Sequence, residues 1–212
     1  QNARTPATKA SLGSADVVTR TDSAKGVRTD GVLRAIIDHA RARYILVIVD
    51  PKRRECSAYY GATLITPNRA EMAAATGLPL RNTPQIEQAA RAASAQFGGD
   101  VLVTRSEEGM SLWQRNGHIL HEAARKSEVY DVSGAGDTVV ATIGGVLSAG
   151  QDLDTAVVIA TVAASIAVGK PGTAAVSHTE LSQALKKAIP NTGVLATLEQ
   201  ARSIMQRWHQ HG

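Results

Sequence analysis

The sequence predicts an α/β fold on a mostly parallel central sheet, and three observations lead there. Ile45 to Val49 (ILVIV) is an unbroken, largely β-branched aliphatic run, the pattern of a strand buried on both faces. Short runs of this kind alternate with longer stretches whose apolar residues recur at helical spacing, as in strand–helix–strand units. Beyond Asp131 the strand signals stop and helical segments follow one another. Right-handed crossovers in such a sheet bring the strand C-termini to one edge, where ligands bind.

The elements read off in order. Ala15 to Thr19 is a short strand. Thr29 to Arg43 places Val32, Leu33, Ile36, Ile37 and Ala40 on one helical face, with Thr29 or Asp30 as N-cap. Ile45 to Val49 ends at Asp50-Pro51, and Ala62 to Thr66 is a further strand closed by Pro67. Asn68 to Thr76 is a helix stopped by Gly77, and Thr83-Pro84 opens another that runs to Phe97 before Gly98-Gly99. Val101 to Thr104 is a strand. Asn116-Gly117 joins Met110–Gln114 to His118–His121 as a hairpin. A helix to Ala149, then Leu153 to Val168, Thr179 to Ala188 and Thr197 to Trp208, complete the chain.

Composition narrows the function. The 212 residues suffice for one sizeable core. A net charge of +4 spread along the chain, with 3% aromatic residues, argues against a nucleic-acid partner. One cysteine, Cys56, excludes an internal disulfide framework and fits a reducing compartment. No run approaches a membrane span and no signal-peptide pattern is present, so a cytoplasmic location without a membrane partner is expected. Residues 1–14 are polar and read as a disordered lead-in, with residues 15–212 as the folded part.

The richest stretch is Asp131-Val132-Ser133-Gly134-Ala135-Gly136-Asp137-Thr138, directly before a long apolar run. A tight Gly-Ala-Gly turn opening into a helix leaves backbone N–H groups without intrahelical partners, at the positive end of the helix dipole. A carboxylate there repels phosphate, so Asp137 needs a reason to be present, and taking a proton from a hydroxyl that attacks a phosphoryl group is such a reason. The plain alternative is a glycine-rich turn with an ordinary first-turn acid.

Further motifs fall at strand ends. Lys52, after Asp50-Pro51, is either a phosphate-binding point charge or a solvated loop lysine. Asn68 and Glu71 stand three apart in a helix first turn, as a capping box or as a pair organising hydrated Mg²⁺. Thr104-Arg105-Ser106-Glu107-Glu108-Gly109 is a strand-end turn, and Val168 to Thr173 closes an apolar helix. The Walker P-loop and the Gly-x-Ser-x-Gly elbow are both absent, and the histidines lack a zinc-ligand setting.

The octapeptide resembles the C-terminal signature of the ribokinase-like (phosphofructokinase B) sugar kinases, Asp-Thr-x-Gly-Ala-Gly-Asp, with Val132 in place of the usual Thr. The resemblance implies a three-layer α/β/α fold, with ATP and Mg²⁺ as cofactors. It implies Asp137 as catalytic base, with Gly134, Ala135 and Gly136 as the anion hole. It implies Asn68 and Glu71 at the metal, through water, and Lys52 and Asp131 at phosphate or substrate. Thr104, Ser106 and Gly109 become the nucleotide loop, Ser106 replacing the family's first glycine, while Ala164, Lys170 and Gly172 wall the adenine. From Ala15 to Ser182 the residues are most similar to the bacterial kinases that phosphorylate O1 of D-glycero-D-manno-heptose 7-phosphate, a lipopolysaccharide-core precursor.

The departures matter too. The family's N-terminal part supplies most of the sugar pocket and a β-lid, and nothing before Ala15 is read as matching it. Ser23 and Ala24 replace Tyr and Gly of the subgroup's Ser-Asp-Tyr-Gly-Lys-Gly loop, and Tyr44 stands where Gly is usual. The nucleotidyltransferase motif His-x-Gly-His, fused to the kinase in some bacteria, is absent. The expectation is therefore an ATP-dependent sugar-phosphate kinase, a homodimer in full-length form. Its alternative is a truncated, non-catalytic nucleotide-binding remnant or a partner-dependent subunit.

Overall fold

The computed structural model describes residues 16–21, 30–125, 130–172 and 175–188. It divides into two compact units, Gln1–Ala123 and Ala124–Gly212. The expected lead-in over 1–14, the Ser23–Ala24 loop and the Thr197–Trp208 helix lie outside the described residues.

The first unit carries a six-stranded sheet whose spatial order follows the sequence. The strands are β1 (Val17–Thr21), β2 (Leu46–Asp50), β3 (Leu64–Ile65), β4 (Asp100–Thr104), β5 (Met110–Trp113) and β6 (Ile119–Glu122). β1 to β4 run parallel, in register through Thr19, Ile48, Leu64 and Asp100. β5 and β6 return antiparallel, as the Asn116-Gly117 turn requires; Gly117 has a φ of 92° and Gln114 N–H donates to His118 O at 2.9 Å.

Helices α1 (Asp30–Arg41), α2 (Arg69–Thr76) and α3 (Thr83–Phe97) fill the crossovers. α1 buries Leu33, Ile36, Ile37 and Ala40, spaced as one helical face. Leu33, Ile37 and Ala40 share a core with Val47 and Val49 of β2, Val101 and Val103 of β4, and Ile86, Ala89, Ala93 and Phe97 of α3. Burying each larger side chain stabilises the unit by roughly 1.5–3 kcal/mol. Ile48, Leu64 and Leu102, which alternate with these on the strands, are equally buried, so the sheet is covered on both faces. Asn82 caps α3 by accepting from Gln85 N–H at 3.1 Å, and Gly98 ends it in the left-handed region.

Boundaries shift where pairing overrides local pattern. β1 lies two residues later than expected, because its partners are Leu46–Asp50. β3 keeps only two residues, although Thr63 and Thr66 N–H groups still donate to Val47 O and Val49 O at 2.9 and 3.0 Å. α1 stops at Arg41, and Tyr44 then turns the chain into β2 with φ 59°. That is the position at which the sequence comparison expects glycine, and the positive φ supplies the reason.

The second unit is helical: α4 (Ala135–Ser148), α5 (Leu153–Val168) and α6 (His178–Ala188). α4 packs along α5, burying Val139, Val140 and Ile143 on one and Ala156, Val157, Ala160 and Ala163 on the other. Asp152 caps α5 by accepting from Thr155 N–H at 2.7 Å.

Candidate functional site

Parallel β2, β3 and β4 end on one edge, so the loops after Asp50, Ile65 and Thr104 are neighbours. Lys52 Nζ lies 2.6 Å from Glu71 Oε1 and 3.1 Å from Asp50 Oδ2. Partial burial pulls the Lys52 ammonium pKa down, but the hydrogen bonds to Glu71 and Asp50 more than reverse this and hold it above its ordinary value. Glu71 Oε2 accepts from Asn68 N–H at 2.8 Å, and Asn68 Oδ1 accepts from Glu71 N–H at 2.9 Å. Asn68 and Glu71 thus form a capping box, the structural alternative weighed from sequence. Lys52 is an ion-pair partner of two carboxylates, not a lone point charge. Among the described residues no group of three or more His, Cys, Asp or Glu gathers to hold a metal.

The loop after β4 is tied to the same edge. Thr104 bridges to Asn68, and its N–H donates to Pro67 O at 3.0 Å. Ser106 has φ 54°, so the residue replacing the family's glycine sits in the backbone region that favours glycine. Gly109, at φ 93° and ψ −132°, occupies a conformation open essentially to glycine alone, and its carbonyl accepts from Arg105 N–H at 2.8 Å.

Sequence reasoning missed two supports of this edge. The phenol of Tyr59, fully buried, accepts from the N–H groups of both Lys52 and Arg53 at 3.1 Å. The buried Arg105 guanidinium donates to Ser111 Oγ at 2.8 Å and to Glu108 at 2.6 Å, and Glu108 also pairs with Arg69. Neither has a local motif: Tyr59 folds back on Lys52 and Arg53 within the β2–β3 connection, and Glu108 joins Arg105 of its own loop to Arg69 of α2.

In the second unit the signature folds as its glycines suggest. Gly134, at φ 78°, is the N-cap of α4, and Thr138 N–H makes the first helical bond to Gly134 O at 2.9 Å. Ser133 N–H donates to Asp131 Oδ1 at 2.8 Å, and Ala135 N–H closes the turn on Val132 O at 3.3 Å. The N–H groups of Gly136 and Asp137 have no partner among the described residues, and both residues are exposed. Of the residues expected to form an anion hole, Ala135 thus has its amide engaged in the turn. A Cβ built on Gly136 meets nothing within 4 Å, so packing does not demand glycine there.

Other expected contacts are engaged within the protein. The N–H and side chain of Ser133, with the Gly172 N–H, hold the Asp131 carboxyl below its ordinary range. Lys170 Nζ lies 2.7 Å from Glu180 Oε1 and donates to Ala175 O at 2.8 Å. Asp131 and Lys170 thus hold loops where the sequence suggested substrate and nucleotide contact. Ala164 is half-buried on α5, and Gly172 is exposed at φ 69°.

The family profile of the pfkB carbohydrate kinases matches residues 2–180. The chain belongs to this family. The match begins upstream of Ala15, where the motif resemblance starts. The bifunctional protein HldE of Gluconobacter oxydans is 58% identical over 93% of this chain, and that of Azorhizobium caulinodans 49% over 97%. The chain spans 41% and 44% of those two relatives. Arabidopsis thaliana ribokinase, solved with ribose and ATP, superposes with a TM-score of 0.77 over 85% of this chain and 59% of its own, at 21% identity. Escherichia coli phosphofructokinase-2, solved with substrates and products, gives 0.72 over 86% and 61%, at 18% identity. These two likenesses establish the ribokinase-like three-layer fold expected for a pfkB chain. Among the described residues no helix is long and apolar enough to cross a membrane.

Proposed function

We propose that this pfkB chain is the catalytic-base and nucleotide-handling part of an ATP-dependent kinase acting on O1 of a heptose 7-phosphate. The observation that carries the reading is the start of α4, where an exposed carboxylate, Asp137, stands beside two amides that the fold leaves free. A first-turn acid also suits the helix dipole, but the two unspent amides beside it suit phosphoryl transfer. The carboxylate accepts the proton of the attacking sugar hydroxyl, while the Gly136 and Asp137 amides and the helix dipole stabilise negative charge on the migrating phosphoryl group. The high identity to the HldE proteins and the motif resemblance support the heptose acceptor.

In the first unit Thr104 and Gly109 would contact the nucleotide. Asn68 and Glu71 fit a hydrated Mg²⁺, because such an ion keeps several waters and needs only one or two protein oxygens. Bound there, it would neutralise phosphate charge. Lys52 sits 2.6 Å from Glu71 Oε1 and would rebalance the cluster as phosphates arrive.

The test is Asp137→Asn in the parent protein. Turnover is expected to fall by about 10²–10⁴ while ATP affinity holds, since general-base catalysis supplies roughly that factor. Unchanged turnover would remove the assignment. ATP consumption by the isolated chain, with and without the heptose phosphate, separates a working kinase from a nucleotide-binding remnant.

A further inference from the structure

Six side chains from five parts of the first unit form one polar chain that no motif announces. Glu87 of α3 contacts His121 Nε2 of β6 at 3.0 Å, and His121 Nδ1 contacts Ser111 Oγ of β5 at 2.9 Å. Ser111 Oγ accepts from Arg105 Nη1 at 2.8 Å, and Arg105 Nη2 donates to Glu108 at 2.6 Å. Arg69, the first residue of α2, then pairs with the same Glu108 carboxylate. The serine–histidine–glutamate order is not a hydrolytic triad, because Ser111 is 3% exposed and out of reach of a substrate.

The arrangement does something else. Arg105 is 8% exposed, and among the described residues the carboxylate that answers its charge is that of Glu108. The same carboxylate answers Arg69, and the two guanidiniums hold its pKa below the usual range, Arg69 first. Glu108 therefore pins the loop between Thr104 and Gly109 from both sides. One side is the buried anchor through Ser111 and His121; the other is the first turn of α2, beside Asn68. The loop's backbone bonds are mostly internal: Arg105 N–H to Gly109 O at 2.8 Å, Gly109 N–H to Ser106 O at 3.1 Å and Glu108 N–H to Arg105 O at 3.2 Å, with Thr104 N–H to Pro67 O at 3.0 Å tying its start to the segment before α2.

We propose that Glu108 is a positioning residue for nucleotide binding, fixing the Thr104–Gly109 loop against the start of α2 by holding Arg105 and Arg69 together. The proposal rests on the nucleotide-loop reading given above. Charge-assisted hydrogen bonds of this kind are the strong ones, so losing them loosens the loop without unfolding the strand that carries it.

The test compares wild type with Glu108→Gln and Arg69→Met, and uses Lys187→Gln on α6 as control. MgATP affinity is read by calorimetry and amide hydrogen exchange across residues 104–109, with melting curves to verify folding. Both variants are expected to bind MgATP about tenfold more weakly and to exchange faster at Arg105 and Gly109, while Lys187→Gln matches wild type. Glu108→Asp, which keeps the charge, is expected to recover part of the affinity. Faster exchange with unchanged affinity would overturn the positioning role alone. If folded wild type does not bind MgATP, the nucleotide-loop reading fails and takes this proposal with it.

Discussion

The sheet edge of the first unit and the start of α4 in the second are both rich in charge and glycine, yet they treat polar groups in opposite ways. At the sheet edge nearly every group is spent. Glu71 serves Lys52 and the Asn68 cap, and Glu108 serves two arginines. At α4 the fold leaves the Gly136 and Asp137 amides and the Asp137 carboxylate without described partners. Polar groups bound to one another make a rigid frame; groups left bare are where a reacting anion gains most, because nothing must be broken to receive it. Under the proposed function, proton transfer and anion stabilisation belong to the second region, and the first supplies the pre-formed frame for nucleotide and metal.

Gly136→Ala tests the bare side most sharply. A methyl there has free space and a helical backbone, so melting temperature is expected to hold or rise slightly. The methyl crowds an anion approaching the amides, and turnover of the parent enzyme is expected to drop on the order of a hundredfold. Lost stability with retained turnover would reverse the roles drawn for this turn.

Gly109→Ala probes the frame. Its φ of 93° and ψ of −132° strain any side chain, and denaturant unfolding is expected to show a loss of about 1–3 kcal/mol. A neutral result would mean that the loop relaxes freely and is no frame.

The smallest effect concerns Glu180, which hydrogen bonds to Lys170 and Ser177 hold at a pKa of about 2. A carboxyl depressed in the folded state stabilises above its unfolded pKa and loses that contribution as pH falls towards the folded one. Melting temperature is therefore expected to decline between about pH 4.5 and 2, less steeply in Glu180→Gln. A variant with the wild-type acid profile would show that the Lys170 strap contributes nothing. Cys56, whose thiol burial pushes up to about 11, gives no competing signal in that range.

Much of this was readable before any coordinates, and the reasons differ by region. Helices with periodic faces and cap residues, such as 83–97 between Asn82 and Gly98, kept their expected limits because local chemistry fixes them. β1 and β3 moved because strand limits depend on a distant partner's register. The Gly-Ala-Gly turn was legible since a left-handed N-cap leaves a glycine in the sequence. Lys52 meeting Glu71, Tyr59 under the Lys52 loop and Glu108 between two arginines were not. Each depends on how a connection folds back on itself or on a neighbour, so no spacing rule records it.

The central claim is that the Gly136 and Asp137 amides receive the migrating phosphoryl group. Backbone amide spectra of the isotopically labelled protein, titrated with MgADP and aluminium fluoride as a mimic of that group, test it most directly. The account predicts that these two resonances shift most strongly and gain protection from solvent exchange, with Ala135 shifting less. Saturable binding that leaves both resonances where they were would contradict it.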